Sequence, residues 1–265
     1  MTESLPDLSA SAGVLFDLDG VITPTAEVHQ RAWRTLFDEL FAQRGIAPAY
    51  TDADYFSHLD GKQRYDGVAA LLRSRGVELP WGSPDDPADA DTVCGVGNRK
   101  NIVFARLLAD EGIAPYPGTL SLLDALGELP VAVVSSSKNA ESVLAAAGLR
   151  ERFPVVMDGV VAEREHLPSK PAPDVFAAGA RMLGVDPARS VAVEDATSGV
   201  ASAASAGYGL VVGVDRGAGR AALAAAGAHV VVSDLAEFVP FIGGAAAPSA
   251  SASSETPSNS TGARA

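Results

Sequence analysis

The stretch Gly13–Glu27, GVLFDLDGVITPTAE, decides how the rest of the chain is read. Val14, Leu15 and Phe16 form a short apolar run of the kind a buried parallel strand shows. The run stops at Asp17, a second carboxylate follows at Asp19, and Gly20 comes next. Open α/β sheets place ligands in the crevice beyond the carboxyl ends of their strands, so this position presents both acids. Two like charges this close repel, and at neutral pH the pair needs either a cation between its members or a proton on one of them. That requirement points to Mg²⁺, a hard ion that takes oxygen ligands and is often shared with phosphate. For Asp19-Gly20 alone the alternative is a plain turn, since Asp-Gly is a common turn dipeptide.

A chain of 265 residues, 47% of them apolar, can bury one sizeable core and a smaller domain besides. Its net charge of −13 argues against a nucleic-acid partner, which needs clustered Lys and Arg. An anionic small molecule would instead need a local group of cations, so Arg64, Lys100, Lys138 and Lys170 carry most of the information. Cys94 is the only cysteine, which excludes an internal disulfide and a cysteine-based zinc site and suits a reducing compartment. The opening MTESLPDLSASAG has neither a basic nor an apolar leader region, and no window approaches the roughly 20 apolar residues of a membrane span. A cytoplasmic protein with no membrane partner is expected. From about Gly243 to Ala265 the chain is almost wholly Ala, Ser, Thr, Pro and Gly, the composition of a disordered tail.

After Thr25, apolar residues recur at four-residue spacing (Val28, Ala32, Leu36, Leu40), which predicts a helix ending near Gly45. His29 and Trp33 share one face of it and can point toward the carboxylates; for Trp33 a core position is the alternative. A turn at Asp60-Gly61 leads into a second helix with Arg64 in its first turn. Backbone amides at that end form an anion site, so Gly61 and Arg64 are candidates to hold a phosphate, with a solvated arginine as the alternative. Gly82–Asp91, GSPDDPADAD, reads as a solvated loop without calcium-loop spacing. The G-x-G in CGVGNRKN lacks a dinucleotide signature, a further helix is expected from Asn98, and Lys100 considered alone reads as a free surface lysine.

Beyond Tyr116 short apolar strands alternate with helices. Val131–Val134 ends in Ser135, Ser136, Ser137, Lys138 and Asn139, which places hydroxyls and a cation at a helix start, a setting suited to phosphate oxygens. Val155–Met157 predicts a third strand, and Lys170 sits in SKPAPD between stiffening prolines. Val191–Val193 predicts a fourth strand, again ending in acids, Glu194 and Asp195, before a helix of small residues. Strands at Leu210–Val214 and His229–Val232 complete the series. The alternation argues for an α/β fold with a Rossmann-like doubly wound parallel sheet.

Taken in order, the D-x-D-G element, the strand-terminal Ser135, Lys170 and the Glu194-Asp195 pair resemble the haloacid dehalogenase superfamily of phosphotransferases. FDLDGVIT, TAEVHQRAW, VVSSSKN, SKPAPD and VEDATSGV resemble its β-phosphoglucomutase-like subfamily. The resemblance implies a discontinuous core, residues 1–23 and 113–243, with a helical cap over 24–112 and the tail at 244–265. It implies Asp17 as nucleophile and Asp19 as general acid and base, with Ser135 and Lys170 on the transferring phosphoryl group. Mg²⁺ would be held by Asp17, the Asp19 carbonyl and Asp195, with Glu194 supporting. His29, Trp33, Gly61, Arg64 and Lys100 would face substrate, and Ser137, Lys138 and Asn139 its other phosphate. The implied activity interconverts β-glucose 1-phosphate and glucose 6-phosphate through an aspartyl phosphate and a bisphosphate. A sugar-phosphate phosphatase is the alternative in the same chemistry, and a non-catalytic sugar-phosphate sensor the alternative in another class. A monomer with a small sugar phosphate as its partner is expected. Pro24, Lys62-Gln63 and the long loop Gly82–Asp91 depart from the family pattern and bear on cap closure and sugar preference.

Overall fold

Strand β1 (Val14–Phe16) sorts its side chains to two faces, as a strand must. Val14 and Phe16 enter one buried apolar cluster and Leu15 another. The computed structural model describes residues 5–243, and the tail expected over 244–265 lies outside them.

After β1 the chain leaves the sheet for helix α1 (Thr25–Arg44), which ends on Gly45 in the left-handed conformation with φ 62°. A short helical turn α2 (Asp52–Asp54) runs into a π-helical turn (Tyr55–Leu59), followed by α3 (Arg64–Ser74) and α4 (Val93–Glu111). These inserted helices enclose a cluster of their own, with Trp33, Phe37, Tyr50, Tyr65 and Val96 among its members. The chain then returns through α5 (Pro117–Leu126) to β2 (Val131–Val134), which pairs in parallel with β1.

The remaining chain alternates: α6 (Ala140–Ala146), β3 (Val155–Met157), α7 (Gly159–Arg164), α8 (Asp174–Leu183), β4 (Val191–Glu194), α9 (Thr197–Ser205), β5 (Leu210–Val214), α10 (Arg220–Ala226) and β6 (Val230–Val232). Among the described residues the sheet runs β3-β2-β1-β4-β5-β6, with every pairing parallel. On one face Val133, Val193 and Val212 pack with Leu122 of α5, Leu144 of α6 and Phe238. On the other, Leu15, Val134 and Ala192 pack with Phe176 of α8, Val200 of α9 and Leu223 of α10. This is a doubly wound sheet, and its strand order reverses between β1 and β4, the place where such sheets open a crevice. No described helix is long and apolar enough to cross a membrane.

The structure corrects the expected start of α4. The helix begins at Val93, not Asn98, with Thr92 capping it by accepting the Gly95 amide at 2.9 Å. Gly95 and Gly97, the glycines of the G-x-G, lie inside the helix, where neighbours press close on it. A Cβ on Gly95 would stand 2.4 Å from the Ala90 carbonyl oxygen, and one on Gly97 2.8 Å from the Tyr65 ring. The loop Gly82–Asp91 is largely exposed as expected, but Asn98 ties it down by donating to the carbonyls of Pro84 and Asp86, each at 2.9 Å.

Candidate active site

Two neighbouring strands end side by side, and their acids converge. Asp17 follows β1 and donates its amide to Val193 of β4 at 2.9 Å. Lys170 is fully buried, with its ammonium donating to Asp17 Oδ1 at 2.6 Å, Glu194 Oε1 at 2.6 Å and the Val134 carbonyl at 3.1 Å. Those three acceptors use all its N–H bonds. Burial disfavours the charged lysine, but the two carboxylates outweigh it and raise its pKa. Glu194 Oε2 accepts the amides of Asp195 and Ala196, each at 3.0 Å, so Glu194 holds both Lys170 and the turn after β4 in place.

Asp17, Glu194 and Asp195 can each offer a carboxylate oxygen within 4.8 Å of the others, and all three are buried. Burial, with the neighbouring acids adding to it, pushes Asp17 and Asp195 well above the usual carboxylate range, though Lys170 opposes this at Asp17. The one ammonium bonds two of these three buried acids, Asp17 and Glu194, and Asp195 with the second oxygen of Asp17 accepts no hydrogen bond from the described residues. An oxygen-liganded divalent cation fits this donor set, since it would hold both acids ionised. Gly20 keeps the space beside them open: its φ is 89°, and a Cβ there would stand 1.8 Å from Asp195 Oδ2.

Asp19 turns the other way. Its Oδ1 accepts from Thr25 Oγ1 and lies 3.5 Å from His29 Nε2, while Ser135 Oγ stands 3.5 Å from Oδ2. Burial pushes this carboxyl up, but His29 and Thr25 outweigh burial and bring it below the usual range. His29 Nδ1 bonds to the Lys100 ammonium, so with Lys100 as donor the ring proton sits on Nε2, facing Asp19. Lys100 is buried, not the free surface lysine its own stretch suggested. Its ammonium lies 4.9 Å from the centre of the Trp33 ring and 4.6 Å from that of Phe104. Desolvation, with Arg64 adding to it, pushes its pKa well down. Trp33 takes both of its readings: it is buried against Phe37 and also lines the cavity.

The cavity above the strand ends opens to solvent, and the free space among its lining atoms, open solvent included, is about 710 Å³. Asp17, Asp19 and Asp195 line it from the sheet side, His29, Trp33, Gly61, Arg64 and Lys100 from the inserted helices, and Ser137 and Lys138 from the loop after β2. Ser135, Lys170 and Glu194 sit behind the carboxylates. Asn139 does not line the cavity; it donates to Asn101 Oδ1 at 2.9 Å, and Arg64 Nη2 donates to the same oxygen at 2.8 Å. Lys138 is paired with Glu163 at 2.8 Å.

Sequence reasoning missed three participants. Thr25 holds Asp19, Asn101 joins Arg64 to Asn139, and the Asp60 carboxyl lines the cavity with its pKa pushed up to about 7, chiefly by burial. Asp60 was visible only as half of a turn dipeptide. The signal available for Asn101 was its place beside Lys100.

The chain belongs to the haloacid dehalogenase-like hydrolase family, whose pattern matches residues 12–207. It falls in the β-phosphoglucomutase-like subfamily of that family. It is 47% identical over 237 residues to a β-phosphoglucomutase of Mycobacterium tuberculosis, covering 85% of this chain and 90% of that protein. The crystal structure of β-phosphoglucomutase from Clostridium difficile superposes with a TM-score of 0.69 at 26% identity, covering 86% of this chain and 93% of that one. The fructose-1-phosphate phosphatase YqaB of Escherichia coli is 32% identical over 202 residues, covering 76% of this chain and 95% of that protein. The family and these relatives make the chain a phosphotransferase.

Proposed function

We propose that this protein is a β-phosphoglucomutase, interconverting β-D-glucose 1-phosphate and D-glucose 6-phosphate. The observation that carries the reading is a second cationic group, Arg64, Lys100 and Lys138, lining the same cavity as the Asp17 carboxylate cluster. A mutase has to grip the phosphate that is not reacting, and a hydrolase of small phosphates has less use for such cations.

In this reading Asp17 starts as its aspartyl phosphate: Asp19 takes the proton of the sugar phosphate's free hydroxyl, that oxygen attacks phosphorus, and the bond from phosphorus to the Asp17 oxygen breaks, giving the β-1,6-bisphosphate. The bisphosphate turns in the cavity, the freed Asp17 oxygen attacks the other phosphorus as its bond to the sugar oxygen breaks, and Asp19 gives its proton to the departing oxygen. The aspartyl phosphate is restored, and the bisphosphate is the species between the two transfers. Ser135 holds a transferring oxygen, and Lys170 keeps Asp17 aimed and passes its Asp17 bond to a phosphoryl oxygen as that carboxylate bonds phosphorus. Mg²⁺, held by Asp17, Asp195 and the Asp19 carbonyl with Glu194 in support, supplies charge neutralisation on the phosphoryl oxygens when bound. The inserted helices act as a cap over the cavity, because an aspartyl phosphate must be kept from water until it meets a sugar. A cytoplasmic monomer acting on sugar phosphates suits this chemistry.

The phosphatase reading, in which water takes the group from Asp17, draws support from the E. coli relative. One experiment separates the two. The protein is incubated with Mg²⁺, β-glucose 1-phosphate and a trace of the bisphosphate, and both glucose 6-phosphate and inorganic phosphate are followed. Isomerisation well ahead of phosphate release is expected. Phosphate release without the isomer overturns the mutase.

A further inference from the structure

Ser136 lies just after β2, and Ser198 is the second residue of α9; neither has a part in the chemistry above. Their hydroxyls reach from the sheet to two consecutive carbonyls of the inserted segment. Ser198 Oγ donates to the Asp60 carbonyl and Ser136 Oγ to the Gly61 carbonyl, each at 2.8 Å. Neither carbonyl accepts a backbone amide among the described residues, so these hydroxyls are their protein partners. The approach is close as well as directional. Gly61 has φ 68°, and a Cβ there would stand 2.4 Å from Ser198 Oγ and 2.8 Å from Ala196 Cβ. The turn so held carries the Asp60 carboxyl and leads into Arg64, both of which line the cavity.

We propose that Ser136 and Ser198 are positioning residues that clasp the Asp60-Gly61 turn to the sheet, closing the cavity over Asp17 so that water does not intercept the phosphoryl group. The clasp acts on backbone atoms, so it works whichever sugar phosphate is bound. Its role in excluding water rests on the phosphoenzyme chemistry proposed above.

Ser136→Ala, Ser198→Ala and the double variant test it by two independent readouts. The first is hydrogen exchange of residues 55–64 in the free full-length protein in Mg²⁺ buffer. Each lost hydroxyl should quicken exchange about fivefold, the equivalent of one ordinary hydrogen bond, while peptides from β1 and β4 and the thermal midpoint stay unchanged. The second is the ratio of inorganic phosphate to glucose 6-phosphate during turnover, which should rise by a similar factor in each single variant. Unchanged exchange in the double variant overturns the clasp whatever the substrate is. Exchange that quickens throughout the sheet as well also overturns it, because that is general loosening. Faster local exchange with an unaltered product ratio overturns the role in excluding water. A failure of the mutase reading alone would appear as absence of glucose 6-phosphate in the wild type, with the exchange result standing apart from it.

Discussion

Asp17 and Asp19 are two residues apart, yet their surroundings pull their proton affinities in opposite directions. Burial beside Glu194 raises Asp17, and His29 with Thr25 lowers Asp19 in spite of burial. Divergent environments of this kind let one acid pair divide two roles between its members. Asp17→Asn should abolish phosphoenzyme formation and cut turnover by more than about a thousandfold, read by intact mass after exposure to the bisphosphate and by a coupled assay. Retained turnover would remove Asp17 as nucleophile. Gly20→Ala should weaken Mg²⁺ binding about 10- to 100-fold in titration calorimetry, because its methyl group would displace the Asp195 carboxylate. Unchanged affinity would mean that Asp195 is not held by that close approach.

The elements show which residue patterns speak for themselves. β1, β2, β3 and β5 stand where their short apolar runs predict them, since a strand buried on both faces needs little beyond such a run. The start of α4 was hidden because Gly95 and Gly97 weaken a helical pattern, and what compensates is contact with Ala90 and Tyr65, which only the fold supplies. The site divides the same way. Acids and cations at strand ends announce themselves, whereas Asn101 and Asp60 acquire partners through tertiary approach. The inserted helices carry a clasp of their own: Thr51 and Asp54 form a reciprocal capping box at α2, and Arg75 Nη2 donates to both Asp54 oxygens at 2.6 and 2.7 Å. Burial raises the Asp54 carboxyl, but the bonds from Thr51 and Arg75 outweigh it and the pKa falls below its ordinary value. A depressed folded pKa stabilises above the unfolded value, and that stability is lost as the pH falls through the folded one. Asp54→Asn should therefore unfold more easily than wild type at pH 7, by about 1–3 kcal/mol in urea titrations. The gap between the two proteins should begin to narrow as the pH falls below about 4 and close once the pH is below the lowered folded value. An equal gap at pH 3 would rule out the ionised pair as its source.

At the scale of the molecule, the cavity is built by two bodies that contribute different things. The sheet brings the carboxylates and Lys170, and the inserted helices bring Arg64 and Lys100. Arg64→Ala should therefore impair isomerisation at least about tenfold more than hydrolysis of a small aryl phosphate, which has no second phosphate to grip. Steady-state comparison of the two substrates checks this, and equal losses would count against the mutase. The same division has a consequence for biosynthesis. Val14 pairs with Val131 on one side and Val191 on the other, so the strand ending at Asp17 leaves the ribosome long before either neighbour exists. Closing so long a loop makes assembly of the central sheet a late event. A nascent chain therefore stays chemically silent toward phosphate esters until its final third has been translated.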